Sequence, residues 1–326
     1  MIASYSFLIF IINFIVKKIK YSLLLACSLT LVGCFEPSSI ERWIDNPTNN
    51  EIKVTIDGNE LTIPAKSGIN YTFKYGKHTL SYNNEDFNFV AKPAQYFSES
   101  GFINPTQSNY FIHTLIYSES DLGEGEYEKI LKKDKEFNNI EVIIDGDEME
   151  VELPLKLIND VFIEKIDNYW NYSYDEPFPE KVTQKSDKSQ PHYERLRKIY
   201  RESDFIDFLK ENINWKEVSF HYRPKKFSEI EQYVIPDIDL NSIKCKEGRQ
   251  YLEGLLNDWN HLLTLKGSDF TKPYNELVSE DAIDKDYETE SLCTKENDPE
   301  QTYSKALRQF TDAIQNTRNA NFYVIK

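Results

Sequence analysis

Ile52-Lys53-Val54-Thr55-Ile56 alternates apolar and polar residues, breaks at Asp57-Gly58, and resumes as Leu61-Thr62-Ile63. Successive side chains on a strand point to opposite faces, so this alternation predicts two strands, each with one buried face. Asp-Gly suits a two-residue hairpin turn, whose central positions both need positive φ. The phrase then returns. Ile140-Glu141-Val142-Ile143-Ile144 leads into Asp145-Gly146 and Met149-Glu150-Val151. Apolar positions 52, 54, 56, 61 and 63 map onto 140, 142, 144, 149 and 151, and Pro64 and Pro154 close the two phrases. A duplicated antiparallel β unit is the economical reading.

More strands follow the first hairpin: Tyr71-Thr72-Phe73, then Gly76-Lys77-His78-Thr79-Leu80-Ser81-Tyr82, then Phe87-Asn88-Phe89-Val90. Together with Val54-Thr55-Ile56-Asp57-Gly58, this stretch resembles the PEGA-type extracytoplasmic β modules. The resemblance covers about residues 47–91 and implies a small β-sandwich used for attachment or contact, with no catalytic residues to carry over. Tyr110–Tyr117 and Val161–Ile166 read as aromatic strands, and the charged stretch Leu122–Glu136 as a loop or short helix. Thr183–Gln190 lacks any apolar residue and precedes Pro191, which marks a boundary.

Beyond it the period becomes helical. Leu252, Leu255, Leu256, Trp259, Leu262 and Leu263 form one stripe, and Tyr303, Ala306, Leu307, Phe310, Ala313 and Ile314 another. Asp298-Pro299-Glu300-Gln301 reads as a capping box opening the second. His192–Asn212 reads as a third helical region, with short strands at Glu217–Tyr222 and Gln232–Ile235. The expected fold is α+β: N-terminal antiparallel β-sandwich-like repeats (47–120 and 137–182), then a disulfide-linked α-rich domain over 191–326.

The first residues speak to location. Lys17, Lys18 and Lys20 precede the apolar run Leu23–Val32, which is too short to span about 30 Å of hydrocarbon. It ends in Leu31-Val32-Gly33-Cys34, which resembles the lipobox of bacterial lipoproteins. The resemblance implies a signal peptide over 1–33, cleavage before Cys34, acylation of that cysteine with palmitate among its chains, and a tether over 34–46. Phe35 in place of Asp implies the outer membrane, at its periplasmic face. Met1–Val16 is a second apolar segment, read either as upstream of a true start near residue 16 or as a membrane-embedded extension.

Removing that signal takes three lysines and no acids, so the net charge moves from −16 to −19. Such a surface repels phosphate backbones, excludes nucleic acid as a partner and suits a basic protein. With Cys27 lost and Cys34 lipidated, Cys245 and Cys293 remain. In an oxidising compartment they form a disulfide worth on the order of 4 kcal/mol in the chain-entropy model. Two buried thiols or a metal site are the alternatives.

No catalytic signature is present: there is no G-x-S-x-G elbow, H-E-x-x-H or P-loop. His78, His113, His192, His221 and His261 lack metal-ligand spacing. Asp284, Asp286, Glu288 and Glu290 alternate as calcium ligands do, but Thr289 and Lys295 stand where an EF-hand needs Gly and Glu, so a solvated acidic loop is expected. Phe, Tyr and Trp make up 14% of the chain. If Trp170, Tyr172 and Tyr174 lie on a strand they share a face, ahead of the acidic turn Asp175–Glu180. That face is either core or, with Asp175, a contact surface. The expectation is a non-catalytic lipoprotein, without cofactor or metal, that binds another envelope protein in an immunity or scaffold role. The alternative is an envelope enzyme acting on glycan or lipid through a carboxylate pair drawn from Asp175, Glu176 and Glu180.

Overall fold

Six strands lead the chain: β1 (Ser39–Asn46), β2 (Ile52–Ile56), β3 (Asn59–Ile63), β4 (Ser67–Lys74), β5 (Gly76–Tyr82) and β6 (Glu85–Ala91). Next come β7 (Gly101–Ile103), β8 (Tyr110–Ser118), α1 (Glu124–Lys133), β9 (Asn138–Ile144), β10 (Asp147–Leu153), β11 (Leu155–Ile158), β12 (Phe162–Glu164) and α2 (Lys165–Asn168). β13 (Tyr193–Arg201), α3 (Glu202–Ile213) and β14 (Val218–Phe220) precede a helical run of α4 (Lys246–Leu262), α5 (Ser268–Leu277), α6 (Glu280–Leu292) and α7 (Thr302–Gln315), closed by β15 (Phe322–Ile325). This computed structural model describes residues 37–94, 101–118, 124–133, 138–179, 193–213, 217–233, 237–315, 317 and 320–325. The signal segment 1–33, Cys34, Glu180, Thr183–Gln190 and His192 lie outside the described residues.

The fold class is α+β, as expected. Both Asp-Gly hairpins form, with positive φ at Asp57 (48°), Gly58 (80°), Asp145 (53°) and Gly146 (95°). Ile56 faces Asn59 and Ile144 faces Asp147 across the turns. Each turn aspartate also holds a third strand. The Asp57 N–H donates to the Thr79 carbonyl and its carboxylate accepts from the Thr79 N–H, both at 3.0 Å. Asp145 does the same with Glu217, at 2.9 and 3.0 Å.

A second repeat, offset by 58 residues, organises the sheets. Asn46-Pro47-Thr48 recurs as Asn104-Pro105-Thr106. In each corner the Asn side chain donates to a backbone carbonyl four residues on, Asn50 or Ser108, at 2.8 Å. In each, the Thr hydroxyl donates to the Asn carbonyl oxygen. Each Asn also reaches the strand exit opposite, at Ile63 and Pro64 or at Asp160. The strands correspond accordingly: β1–β4 matches β7–β12, β2–β3 matches β8–β11, and β2–β5 matches β8–β13. β1 and β7 pair in parallel at the centre of a four-stranded sheet ordered β12-β7-β1-β4. The second hairpin, β9–β10, is an insertion between β8 and β11, extended by β14.

β15, β6, β5, β2 and β3 form a five-stranded sheet covered on both faces. Phe89, Ala91, Phe322 and Val324 turn toward the other β layer, packing with Ile44 and Phe73. Val90, Tyr323 and Ile325 turn the other way, onto Leu252, Trp259, Phe270 and Phe310 of the helices. Burial on both sides explains why Phe322–Ile325 reads as a continuous apolar run.

Several expectations are corrected. The tether over 34–46 is a strand from Ser39 on, with Ile44 and Asp45 fully buried. His192–Asn212 is not one helix; Tyr193–Arg201 pairs along β8 and only then does α3 begin. β13 and β15 complete sheets begun before residue 183, and Ser38–Lys326 is one compact unit, so that boundary separates no sheet from its partner strands. Of Gln232–Ile235, Tyr233 makes a single bridge to Ile325, and residues beyond it are not described. The acidic alternation at 284–290 lies in helix α6, because Ser279 caps its start and Glu280 and Asp281 favour the first-turn dipole. The disulfide joins the N-cap of α4, Cys245, to the C-cap of α6, Cys293. Asp298 caps α7 from one turn before its start, accepting from the Thr302 and Tyr303 N–H groups at 2.9 Å.

Candidate functional site

Where the two β repeats meet, a buried ionic cluster forms the floor of a cleft. Asp45, at the end of β1, is 0% exposed. Arg201, at the end of β13, grips it with Nε to Oδ2 at 2.9 Å and Nη2 to Oδ1 at 2.5 Å. The Tyr110 hydroxyl donates to Oδ2 at 2.5 Å and the Trp43 indole N–H to Oδ1 at 3.0 Å. A carboxylate taken out of water is tolerated only when its charge is countered and its lone pairs are filled, and here both conditions hold. Burial works to lower the Arg201 pKa, but the hydrogen bonds and charge of Asp45 outweigh it, and the net shift is upward. Burial, then Asp45, push the Tyr110 phenol well above its ordinary value, so it stays a donor. Tyr174 is raised for the same reasons and lies with its ring 4.1 Å from the Arg201 guanidinium carbon.

Above this floor is a cavity of about 610 Å³. The first repeat contributes Trp43, Lys66 and Ser67, and the second contributes Phe102 and Arg201. α2 and the turn after it supply Lys165, Trp170, Tyr174, Asp175 and Glu176. Gly68 makes the Trp43 wall possible: a Cβ there would collide with the indole and with the Ile44 carbonyl. Glu176 closes its own turn by accepting from the Ser173 N–H at 2.6 Å.

The structure thus brings Trp170, Tyr174 and Asp175 to one cleft and sends Tyr172 elsewhere. α2 ends at Tyr169 with φ 46°, so residues 170–176 are turn and not strand, and the shared face expected of Trp170, Tyr172 and Tyr174 does not form. Trp170 is 4% exposed and packs with Phe102, whereas Tyr172 bridges to Lys198 and packs on Phe178. Asp175 is exposed.

No family model, curated protein or solved structure matches the chain. Two of the described histidines are held by their surroundings. His78 has Nδ1 2.7 Å from Asp57 and Nε2 2.6 Å from the Lys74 carbonyl, so both ring nitrogens are occupied. His113 sits among Phe205 and Phe208, where burial lowers its pKa to about 4. His221 and His261 are exposed, and His221 lies 3.6 Å from Glu148. Among the described residues no group of three His, Cys, Asp or Glu side chains could hold a metal ion.

A second surface stands apart from the cleft. α6 has no buried residue, yet it is fixed by Ser279 at its start, by the disulfide at its end, and by Tyr251 donating to Asp286 at 2.8 Å in between. It carries six carboxylates against one lysine. Tyr287 is 67% and Leu292 54% exposed.

Proposed function

We propose that the chain is a lipid-anchored protein of the outer membrane, facing the periplasm, that binds a basic envelope protein and does not catalyse a reaction. The lipobox-like Leu31–Cys34 and the oxidised cysteine pair support the compartment. The observation that carries the binding role is α6. A helix that adds nothing to the core is nonetheless pinned at three points, so what is kept in place is its outward face. That face combines Glu280, Asp281, Asp284, Glu288 and Glu290 with Tyr287 and Leu292. Carboxylates steer a basic partner, and a tyrosine anchor supplies contact area at small entropic cost. An immunity or scaffold role is compatible with this.

The enzyme reading draws on Asp175 and Glu176 at the cleft. Both come from one turn, however, and Glu176 is occupied by the Ser173 N–H. The floor carboxylate, Asp45, already accepts from Arg201, Tyr110 and Trp43, which makes it a clamp.

The test is capture from envelope extract on wild type and on Asp284→Lys/Tyr287→Ala/Glu288→Lys. Wild type is expected to retain a basic protein at low salt and release it as salt rises, and the variant is expected not to retain it. Equal capture by both, or no capture, would overturn the proposal. Incorporation of labelled palmitate that is lost in Cys34→Ala tests the anchor.

A further inference from the structure

We infer that the cleft between the β repeats binds a short zwitterionic peptide, carboxylate inward and amine outward. Across the whole chain acids outnumber bases, 54 to 38. The cavity lining is less lopsided: it holds Lys66, Lys165 and Arg201 beside Asp175 and Glu176, with Arg201 paired to the buried Asp45 and Lys66 in contact with Ser203 and Asp204. The charges are also graded with depth. Asp175 and Glu176 are exposed at the mouth, Lys66 and Lys165 are half-buried, and Arg201 is 7% exposed at the floor.

Arg201 spends three of the five N–H donors of a guanidinium on Asp45 and the Lys66 carbonyl, and two remain for a ligand acceptor. With one N–H left on each Nη, a carboxylate is a fitting acceptor. Polyanions would meet the carboxylates of the mouth first, and cations would meet Arg201 at the floor. A molecule with an anionic end and a cationic end satisfies both. Trp43, Phe102, Trp170 and Tyr174 wall the space between, where an apolar side chain would lie. A volume of about 610 Å³ suits a ligand of about three residues. This site is independent of α6.

Calorimetric titration of the purified full-length protein with Ala-Phe-Ala tests it, using four forms: free, N-acetylated, C-amidated and doubly blocked. The free form is expected to bind one-to-one, C-amidation to weaken binding by about tenfold or more, and N-acetylation to weaken it by a smaller factor. Lys165→Glu, on a half-buried helix position, is expected to weaken the free peptide by about tenfold with the melting transition unmoved. Asp175→Lys is expected to erase the preference for a free amine. No heat from any form at millimolar concentration, or equal affinity for all four, would sink the inference. A response to the carboxylate alone, indifferent to the amine, would replace the zwitterion with a simple anion and also overturn it.

Discussion

The two β repeats share a corner, a strand order and a pairing scheme, yet they are stabilised differently where they touch. The position before the corner asparagine is Asp45 in the first repeat and Ile103 in the second, and both are fully buried. Ile103 needs nothing but packing. Asp45 needs Arg201, which reaches it from 156 residues away. A duplicated scaffold with two equivalent faces would close on itself through apolar contact, as Ile103 does with its neighbours. Replacing one of the pair by an acid draws in a guanidinium and two hydroxyl-bearing rings, and the cleft forms above them. Symmetry builds the frame, and the departure from symmetry builds the site.

Removing the charge on one side only should have the strongest consequence. Asp45→Ala leaves Arg201 buried without its counter-ion and is expected to cost about 3–5 kcal/mol. Asp45→Leu combined with Arg201→Met restores an apolar junction like that at Ile103 and should recover most of the loss. Urea denaturation of the three proteins measures this. If the double variant is no more stable than Asp45→Ala, the ionic floor is not what distinguishes the repeats. Next in size is the disulfide, which has no counterpart in the β layers. Cys245→Ser/Cys293→Ser opens a connection spanning 48 positions and is expected to cost about 2–4 kcal/mol. Melting under reducing and oxidising conditions should show the wild type, and not the variant, responding to reductant.

The corners should behave alike. Asn46→Ala and Asn104→Ala each leave buried carbonyls without their donor, at about 1–3 kcal/mol apiece. Asn46 reaches three carbonyl oxygens and Asn104 two, so Asn46→Ala should be the costlier. The reverse order in matched denaturation curves would mean that the corners are not equivalent.

What the sequence made legible follows from which residues are buried. The Asp-Gly hairpins and the stripes of α4 and α7 announce themselves because apolar residues fill the inward positions at the right period. β1 does not, since Arg42, Asp45 and Asn46 are buried polar residues that break the alternation, and the segment reads as a tether. β13 fails similarly: Arg195, Arg197, Lys198 and Arg201 interrupt Leu196 and Ile199, and Ser203-Asp204 at its end suggests a helix start. The repeat of Asn-Pro-Thr was visible at positions 46 and 104 but carries no hydrophobic signal, so the more conspicuous Asp-Gly recurrence stood in its place. Arg201 had no local sign at all, because its meaning lies in Asp45, on a strand 156 residues earlier.

The two Asp-Gly turns should differ only slightly. Both aspartates hold a third strand, but only Asp57 also accepts from Lys266, at 2.9 Å, and from the His78 ring. Burial works to raise the Asp57 pKa, yet the Lys266 hydrogen bond, the Thr79 N–H and His78 together bring it below its ordinary 3.8. A carboxyl depressed in the folded state contributes stability that is complete above the unfolded value and lost as pH falls through the folded one. Wild type should therefore lose stability as pH falls through and below the ordinary carboxylate range in a way that Asp57→Asn does not share. At pH 7 Asp57→Asn should cost about 1 kcal/mol, because the group is partly exposed, and Asp145→Asn less. Matching acid profiles for wild type and Asp57→Asn would show that the Lys266 contact, which ties the helical region to the first hairpin, contributes nothing.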